Sequence, residues 1–157
     1  MAISPTLRRH LEDHQVSFDV LAHERTLHSL ATAKAGSVPE DNLAKAILIR
    51  KQDGFLLAIV PASHNVALDA LGRWLKQPVC LATEEDVAAI FDDCEPGAIP
   101  PIADAFGLPA VMDEHLEGLN HIYFEGGDHC TLVHLRGGDF RRLTARTPHA
   151  PIGTPIH

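Results

Sequence analysis

The sequence lacks a long hydrophobic run. No stretch approaches the roughly 20 consecutive apolar residues of a membrane-spanning helix, and Met1 to Pro5 show neither the basic nor the apolar region of a secretory signal. Hydrophobic residues make up 45% of the chain, as in ordinary globular domains. The 157 residues suit a single domain with a substantial core. We therefore expect a soluble, cytoplasmic protein.

Cysteine and positive charge are also scarce. Three widely spaced cysteines are expected to be reduced thiols, because an odd number cannot form a closed disulfide framework. The net charge of −8 argues against broad binding of nucleic acid, DNA included, because such binding needs a basic surface. Recognition of one nucleotide end by a small basic patch stays open. Its candidate members, which fit solvated surface positions equally well, are Lys45, Arg50, Lys51, Arg73 and Lys76.

Several catalytic signatures are missing. The chain has 11 histidines but no His-Glu-x-x-His or Cys-x-x-Cys zinc motif. The neighbours Asp128, His129 and Cys130 would point in different directions on an extended chain. No nucleophile elbow, Walker A loop or dinucleotide fingerprint occurs. We therefore expect neither a metal nor a cofactor, and a metal-dependent hydrolase is the weakest of the functional hypotheses.

Two apolar runs flank Asp53-Gly54, and this arrangement predicts a β-hairpin at the centre of the core. Lys45 stands at the start of the first run and shares strand parity with the apolar Ile47 and Ile49. One interpretation is a lysine whose stem lies on the core while its ammonium group reaches water. The other is a fixed cation in a cleft, able to hold an anionic substrate.

The remaining pattern predicts an α+β domain over residues 1–145, followed by a Pro-rich, mobile tail over residues 146–157. Helices are predicted to begin near Ser4, Ser29, Asn65, Thr83 and Asp139. Short strands are predicted at 16–21, 79–82, 108–113, 121–125 and 131–135.

Two glycine-bearing loops stand out between these elements. Residues 96–101 hold three prolines and Gly97, which excludes a helix or a central strand. This loop is either a rigid connector or a surface that presents backbone amides. A second loop, around Gly127, joins the last two strands, and its amides can approach a ligand closely. With a lysine, such loops suit electrostatic catalysis, in which amides stabilise an oxyanion and water or a substrate hydroxyl attacks.

Five segments, in order, resemble the YbaK and prolyl-tRNA synthetase-associated editing domains, and the resemblance covers about residues 16 to 145. They are His23 with Ser29-Leu30-Ala31-Thr32-Ala33, Val38 to Lys45 with its hairpin and Val60-Pro61-Ala62, Gly97-Ala98-Ile99-Pro100-Pro101, Val111-Met112-Asp113, and Phe124 to His129.

The resemblance implies a mixed α+β domain whose central, barrel-like sheet is flanked by helices. It also implies hydrolysis, in trans, of the ester in a mischarged aminoacyl-tRNA, often tRNA(Pro), with prolyl-tRNA synthetase as a candidate partner. By resemblance, Lys45 would hold the terminal adenosine and its phosphate. Ala46 replaces a threonine that many members carry, so any polar role of that side chain is absent.

The same resemblance suggests the remaining site residues. The amides of Gly97, Ala98 and Ile99 would bind the aminoacyl carbonyl, and His129 is a hypothetical direct participant. The residues expected to bind substrate are His23, Thr26, Pro100, Pro101, Gly127 and Asp128. This hypothesis requires Lys45, the Gly97 loop and His129 to line one cavity. The alternative is a module of the same fold that binds aminoacyl-adenosine, or docks on a synthetase, without turnover.

Overall fold

Helices and strands alternate along the computed structural model, which describes residues 3–157. Within that range the α-helices are α1 (Pro5–Asp13), α2 (Ser29–Ala35), α3 (Leu68–Leu75), α4 (Glu84–Ile90) and α5 (Gly137–Leu143). The strands are β1 (Asp19–Ala22), β2 (Ala44–Lys51), β3 (Gly54–Pro61), β4 (His64–Val66), β5 (Cys80–Leu81), β6 (Ala110–Asp113), β7 (His121–Glu125), β8 (Thr131–Arg136), β9 (His149–Ala150) and β10 (Gly153–Pro155). None of these helices has the length and apolar character needed to cross a membrane.

The strands form three open sheets, in the orders β1-β8-β7, β10-β4 and β5-β2-β3-β6-β9. The largest sheet is mixed, because β2 pairs antiparallel with β3 whereas β6 runs parallel to both β3 and β9. The α+β class is thus confirmed. The expected barrel-like sheet is not closed: within residues 3–157, strand pairing between the two larger sheets is limited to an isolated bridge between Leu43 and Tyr123.

Local sequence signals place several elements as expected. Lys51 lies opposite Gly54 at the end of the β2–β3 hairpin, and Gly54 has a φ of 135°, which suits glycine. Ser4 caps α1 by accepting the amide of Leu7. The helix predicted near Thr83 is α4, and Thr83 and Asp86 form a capping box at its start.

Two segments differ from the expectation. Asn65 does not cap a helix but pairs within β4 with Thr154 of β10, and α3 begins only at Leu68. The segment expected to be a mobile tail supplies β9 and β10, and its Ile152 is 0% exposed. The buried carboxylate of Asp113 accepts the amides of Ile152 and Gly153, which holds this segment against β6.

The core has three clusters, and their arrangement positions the site. The largest joins the even-numbered residues of β2 to α1, α4 and α5, and a second lies on the other face of the β2–β3 hairpin. The third joins Ala33 of α2, Leu43 before β2 and Leu132 of β8. It brings the loops that follow β1 and β7 to the same end of the domain.

Candidate functional site

Three loops meet beside the third core cluster. The amide of His23 donates to the carbonyl of Cys130 at 2.8 Å, and that of Thr26 donates to His129 at 3.2 Å. The amide of Glu95 donates to the carbonyl of Gly127 at 2.8 Å. The structure thus brings the predicted residues on the His23, Gly97 and Gly127 loops together.

Arg25, which was not among the predicted site residues, connects two of these loops on their outer side. Its guanidinium group donates to both carboxylate oxygens of Glu95, at 2.6 and 3.2 Å, and to the carbonyl of Asp128 at 3.4 Å. The hydrogen bond to Glu95 raises the pKa of Arg25 above its ordinary value. No sequence signal could have found this pair, because its members are 70 residues apart.

His129 lies at the inner side of the loops and is 4% exposed. Its Nε2 is 2.7 Å from the carbonyl oxygen of Pro96, which can only accept, so Nε2 carries the hydrogen. Its Nδ1 is buried and lies 3.6 Å from Oε2 of Glu125. Within residues 3–157 this Nδ1 has no hydrogen-bond partner.

Glu125 ends strand β7 and faces a second histidine. Nε2 of His23 lies 3.3 Å from its Oε1, and the side chains of His23 and Glu125 are only 0% and 11% exposed. Burial raises the pKa of Glu125, against the attraction of His23, which lowers it. Glu125 was not among the predicted site residues, although an acidic residue at the end of an otherwise apolar strand was a usable signal.

The Gly97 loop offers fewer free amides than expected. The amide of Ala98 already donates to the carbonyl of Glu95 at 3.0 Å, and Pro100 and Pro101 have no N–H group. Ile99 is buried whereas Gly97 is exposed. Gly97 has a φ of 86°, a conformation that favours glycine, and because the residue is exposed its amide is the candidate donor of the loop.

Lys45 lies apart from that loop. Its Nζ donates to the side-chain oxygen of Asn65 at 3.3 Å, and burial lowers its pKa. It lines a cavity of about 240 Å³, whose other lining residues are Ile47, Asn65, Val66, Leu68 and Leu81. Neither the Gly97 loop nor His129 lines this cavity, so the three do not share it as the sequence hypothesis required.

Other residues selected as substrate-binding are bonded within the protein. Asp128 accepts the amide of Cys130 at 2.9 Å and the hydroxyl of Thr131 at 3.1 Å. The hydroxyl groups of Thr26 and Thr32 are hydrogen-bonded to each other. In the part of the chain that the structure describes, no group of three or more histidine, cysteine or acidic side chains is arranged to hold a metal ion.

Comparisons with known proteins give one family. The aminoacyl-tRNA editing domain family matches residues 23–143. Among curated proteins, no sequence matches the chain.

Solved structures share the fold at low sequence identity. The hypothetical protein APE2540 is 17% identical with a TM-score of 0.82, over 95% of this chain and 99% of its own. A candidate trans-editing enzyme for prolyl-tRNA synthetase is 23% identical with a TM-score of 0.80, over 98% and 99%. A candidate signal transduction protein from Marinobacter aquaeolei VT8 is 18% identical with a TM-score of 0.77, over 98% of this chain but 31% of its own.

Proposed function

Because the chain belongs to the aminoacyl-tRNA editing domain family, we propose that it hydrolyses the ester of mischarged aminoacyl-tRNA in trans. The substrate is a small amino acid esterified to the terminal ribose, with tRNA(Pro) as the first candidate. The similar structure described as acting in trans for prolyl-tRNA synthetase supports that choice and makes the synthetase a candidate partner. The reaction would take place in the cytoplasm, where tRNA is charged.

The position of Gly97, an exposed residue at the point where three loops meet, is the observation that carries this proposal. An amide held in place by its surroundings can donate to the oxygen of an ester carbonyl and stabilises the negative charge that develops there. Removing one such donor costs roughly 10²–10³ in kcat in other enzymes. The Gly97 amide is therefore proposed to polarise the aminoacyl carbonyl.

Attack by water or by a ribose hydroxyl suits the surroundings of Gly97. The oxygen of water bonds to the carbonyl carbon, the ester C–O bond breaks, and the departing ribose oxygen takes up the proton that water loses. Attack by a ribose hydroxyl would move the acyl group to that hydroxyl, and water would then have to attack the new ester to release the amino acid. His129 is a poor direct base, because Nε2 is bonded to Pro96 and Nδ1 is buried against Glu125. We therefore propose that His129 acts on the loop rather than on the reacting atoms.

Lys45 is proposed to hold the phosphate of the terminal nucleotide. The only hydrogen-bond partner of its Nζ within residues 3–157 is the neutral side chain of Asn65. A half-buried cation without an acidic partner is costly, and an anionic ligand would offset that cost. The cavity beside Lys45 would then take the nucleotide end.

The test is deacylation of a panel of mischarged tRNAs. We expect hydrolysis of at least one tRNA by the wild type and a fall of at least about tenfold for Lys45→Ala, as for the loss of a charged hydrogen bond. Lys51→Ala is the matched control, because Lys51 lies on the same strand but pairs with Asp53 at the hairpin end. Inactivity on every tRNA, or full activity of Lys45→Ala, would contradict the proposal.

A second candidate is a module that binds aminoacyl-adenosine without turnover. One observation favours it: the Ala98 amide donates to the carbonyl of Glu95, so it is not free to bind the aminoacyl carbonyl. A nonhydrolysable aminoacyl-adenosine analogue separates the two functions. Binding of the analogue by a protein that hydrolyses no tRNA ester would select the binding module.

A further inference from the structure

Glu125 lies between two imidazole rings. Its Oε1 is 3.3 Å from Nε2 of His23, and its Oε2 is 3.6 Å from Nδ1 of His129. The three groups come from the loop after β1, from the end of β7 and from the loop before β8, and all three side chains are largely buried. They form a cluster that no sequence motif predicts.

The outer nitrogen of each ring is fixed as a donor. Nδ1 of His23 is 2.6 Å from the carbonyl oxygen of Glu24, and Nε2 of His129 is 2.7 Å from that of Pro96. Since a carbonyl oxygen only accepts, both of these nitrogens carry a hydrogen. If both rings are neutral, the nitrogens that face Glu125 therefore present lone pairs.

A lone pair facing a buried carboxylate is repulsive, and burial makes the repulsion stronger. The cluster therefore holds at least one proton, either on Glu125 or on an imidazole. Other charges also act on the cluster. Asp128 interacts electrostatically with Glu125, and Glu95, which forms an ion pair with Arg25, interacts electrostatically with His129. The acidic neighbours Asp128 and Glu95 favour retention of that proton, and Arg25 offsets part of the effect of Glu95.

The bond from His129 to Pro96 reaches the proposed oxyanion donor through one peptide group. The carbonyl of Pro96 and the amide of Gly97 belong to the same planar peptide, and every peptide bond within residues 3–157 is trans. In a trans peptide the C=O and N–H bonds point in opposite directions. A hydrogen bond that fixes the Pro96 oxygen therefore also fixes the direction of the Gly97 N–H, on the side away from the His129 ring.

We propose that Glu125 is a positioning residue: while a proton shared with His23 keeps its carboxyl group neutral, the Nδ1 lone pair of His129 is not repelled, and His129 keeps its bond to Pro96 and so orients the Gly97 amide towards the substrate carbonyl. This inference rests on the proposed deacylase function for its kinetic consequences. When the pH rises and the shared proton dissociates, His129 faces an ionised carboxylate and releases the Pro96 carbonyl. Activity then falls through kcat, because the donor serves the transition state.

The kinetic test uses Glu125→Gln and Glu125→Ala. The glutamine amide donates to one ring with an N–H that does not titrate, so Glu125→Gln should keep kcat within about tenfold and lose the alkaline decline, as expected when a positioned group no longer ionises. Glu125→Ala should lower kcat roughly 100-fold with little change in KM, the effect of losing one oriented oxyanion donor. The matched control is Glu117→Gln, because Glu117 pairs with His149 on the surface at 2.7 Å.

Nuclear magnetic resonance can test the Glu125 cluster in the absence of substrate. In the folded wild type, the pH curves of the ring-nitrogen signals of His23 and His129 should both report the ionisation of Glu125, and Glu125→Gln should remove that ionisation from both curves. Unchanged curves in Glu125→Gln, or an alkaline decline that persists in this variant, would overturn the inference. A wild type inactive on every tRNA would refute the proposed function instead, and the magnetic resonance result would then decide the inference on its own.

Discussion

Cε1 of His129 lies 3.1 Å from the position that a Cβ atom on Gly97 would occupy. A Cβ atom on residue 97 would press on the histidine ring, which would have to move by a few tenths of an ångström. Gly97 also has a φ of 86°, which other residues adopt at a cost. Two independent physical reasons therefore favour glycine where the proposed donor lies.

Gly97→Ala should lower both stability and activity. The left-handed conformation alone costs about 1–3 kcal/mol of unfolding free energy, and the contact with His129 would also displace the amide. We expect deacylation to fall at least about tenfold, since an oxyanion donor is misplaced. Urea unfolding and kcat/KM measure the two effects.

The control for this prediction is Gly107→Ala. Gly107 has a φ of 69°, but a Cβ atom there would have nothing within 4 Å. It should therefore lose stability through backbone strain alone and keep its activity. Equal losses of activity in the two variants would contradict the role given to Gly97.

Asp113→Ala should release the last strands of the domain. The carboxylate of Asp113 is 0% exposed and accepts the amides of Ile152, Gly153 and His115. Losing a buried charged acceptor leaves these donors unpaired, and we expect a loss of about 3 kcal/mol. Urea unfolding measures the loss, and faster tryptic cleavage at Arg146 measures the release.

The exposed Asp92 supplies the comparison for Asp113. Asp92→Ala should change stability by less than about 0.5 kcal/mol, as surface substitutions usually do. If Asp113→Ala were as stable and as resistant to trypsin as Asp92→Ala, the carboxylate would not be what holds residues 150–155.

The thiols of Cys94 and Cys80 should react with iodoacetamide at very different rates. Burial raises the pKa of Cys94 to about 12, so almost no thiolate exists at pH 8. Cys80 is exposed on the edge strand β5. Mass spectrometry of peptides after brief alkylation should find Cys80 modified and Cys94 intact. Alkylation of Cys94 at the rate of Cys80 in folded protein would show that this thiol is not shielded.

The buried carboxyl of Glu125 should make stability depend on pH. Its pKa is raised by burial, so the folded protein binds this proton more tightly than the unfolded chain does. Its contribution is complete below the unfolded value, about 4.3 for glutamate. It is then lost as the pH rises through the raised value of the folded state.

Glu125→Gln should remove this dependence. The difference in unfolding free energy between wild type and variant should therefore shift in favour of the variant as the pH rises from 4 to 8. Urea unfolding at several pH values measures it, with Glu117→Gln as the surface control. Parallel curves for wild type and Glu125→Gln would mean that Glu125 does not hold a proton in the folded protein.

Local patterns predicted the elements whose causes are local. The turn at Asp53-Gly54 joins β2 to β3 because the tight connection needs a residue that tolerates positive φ. Ser4 and Thr83 cap helices because their hydroxyls reach amides three residues away. Asn65 shows the limit of such reasoning, since pairing with Thr154 made it part of a strand instead of a helix cap.

The sequence by itself determined the α+β class, the central hairpin and the loops that carry Gly97 and His129, because periodicity, turns and caps act over a few neighbouring residues. Only the tertiary structure decided that Glu125 faces His23 across 102 positions and that Asp113 holds Gly153 across 40. Contacts between such distant segments arise when separate elements pack, and no pattern within either segment encodes its partner. Lys45 and Gly97 are also distant in the sequence. Only the structure could show that Lys45 lines a cavity to which the Gly97 loop does not contribute.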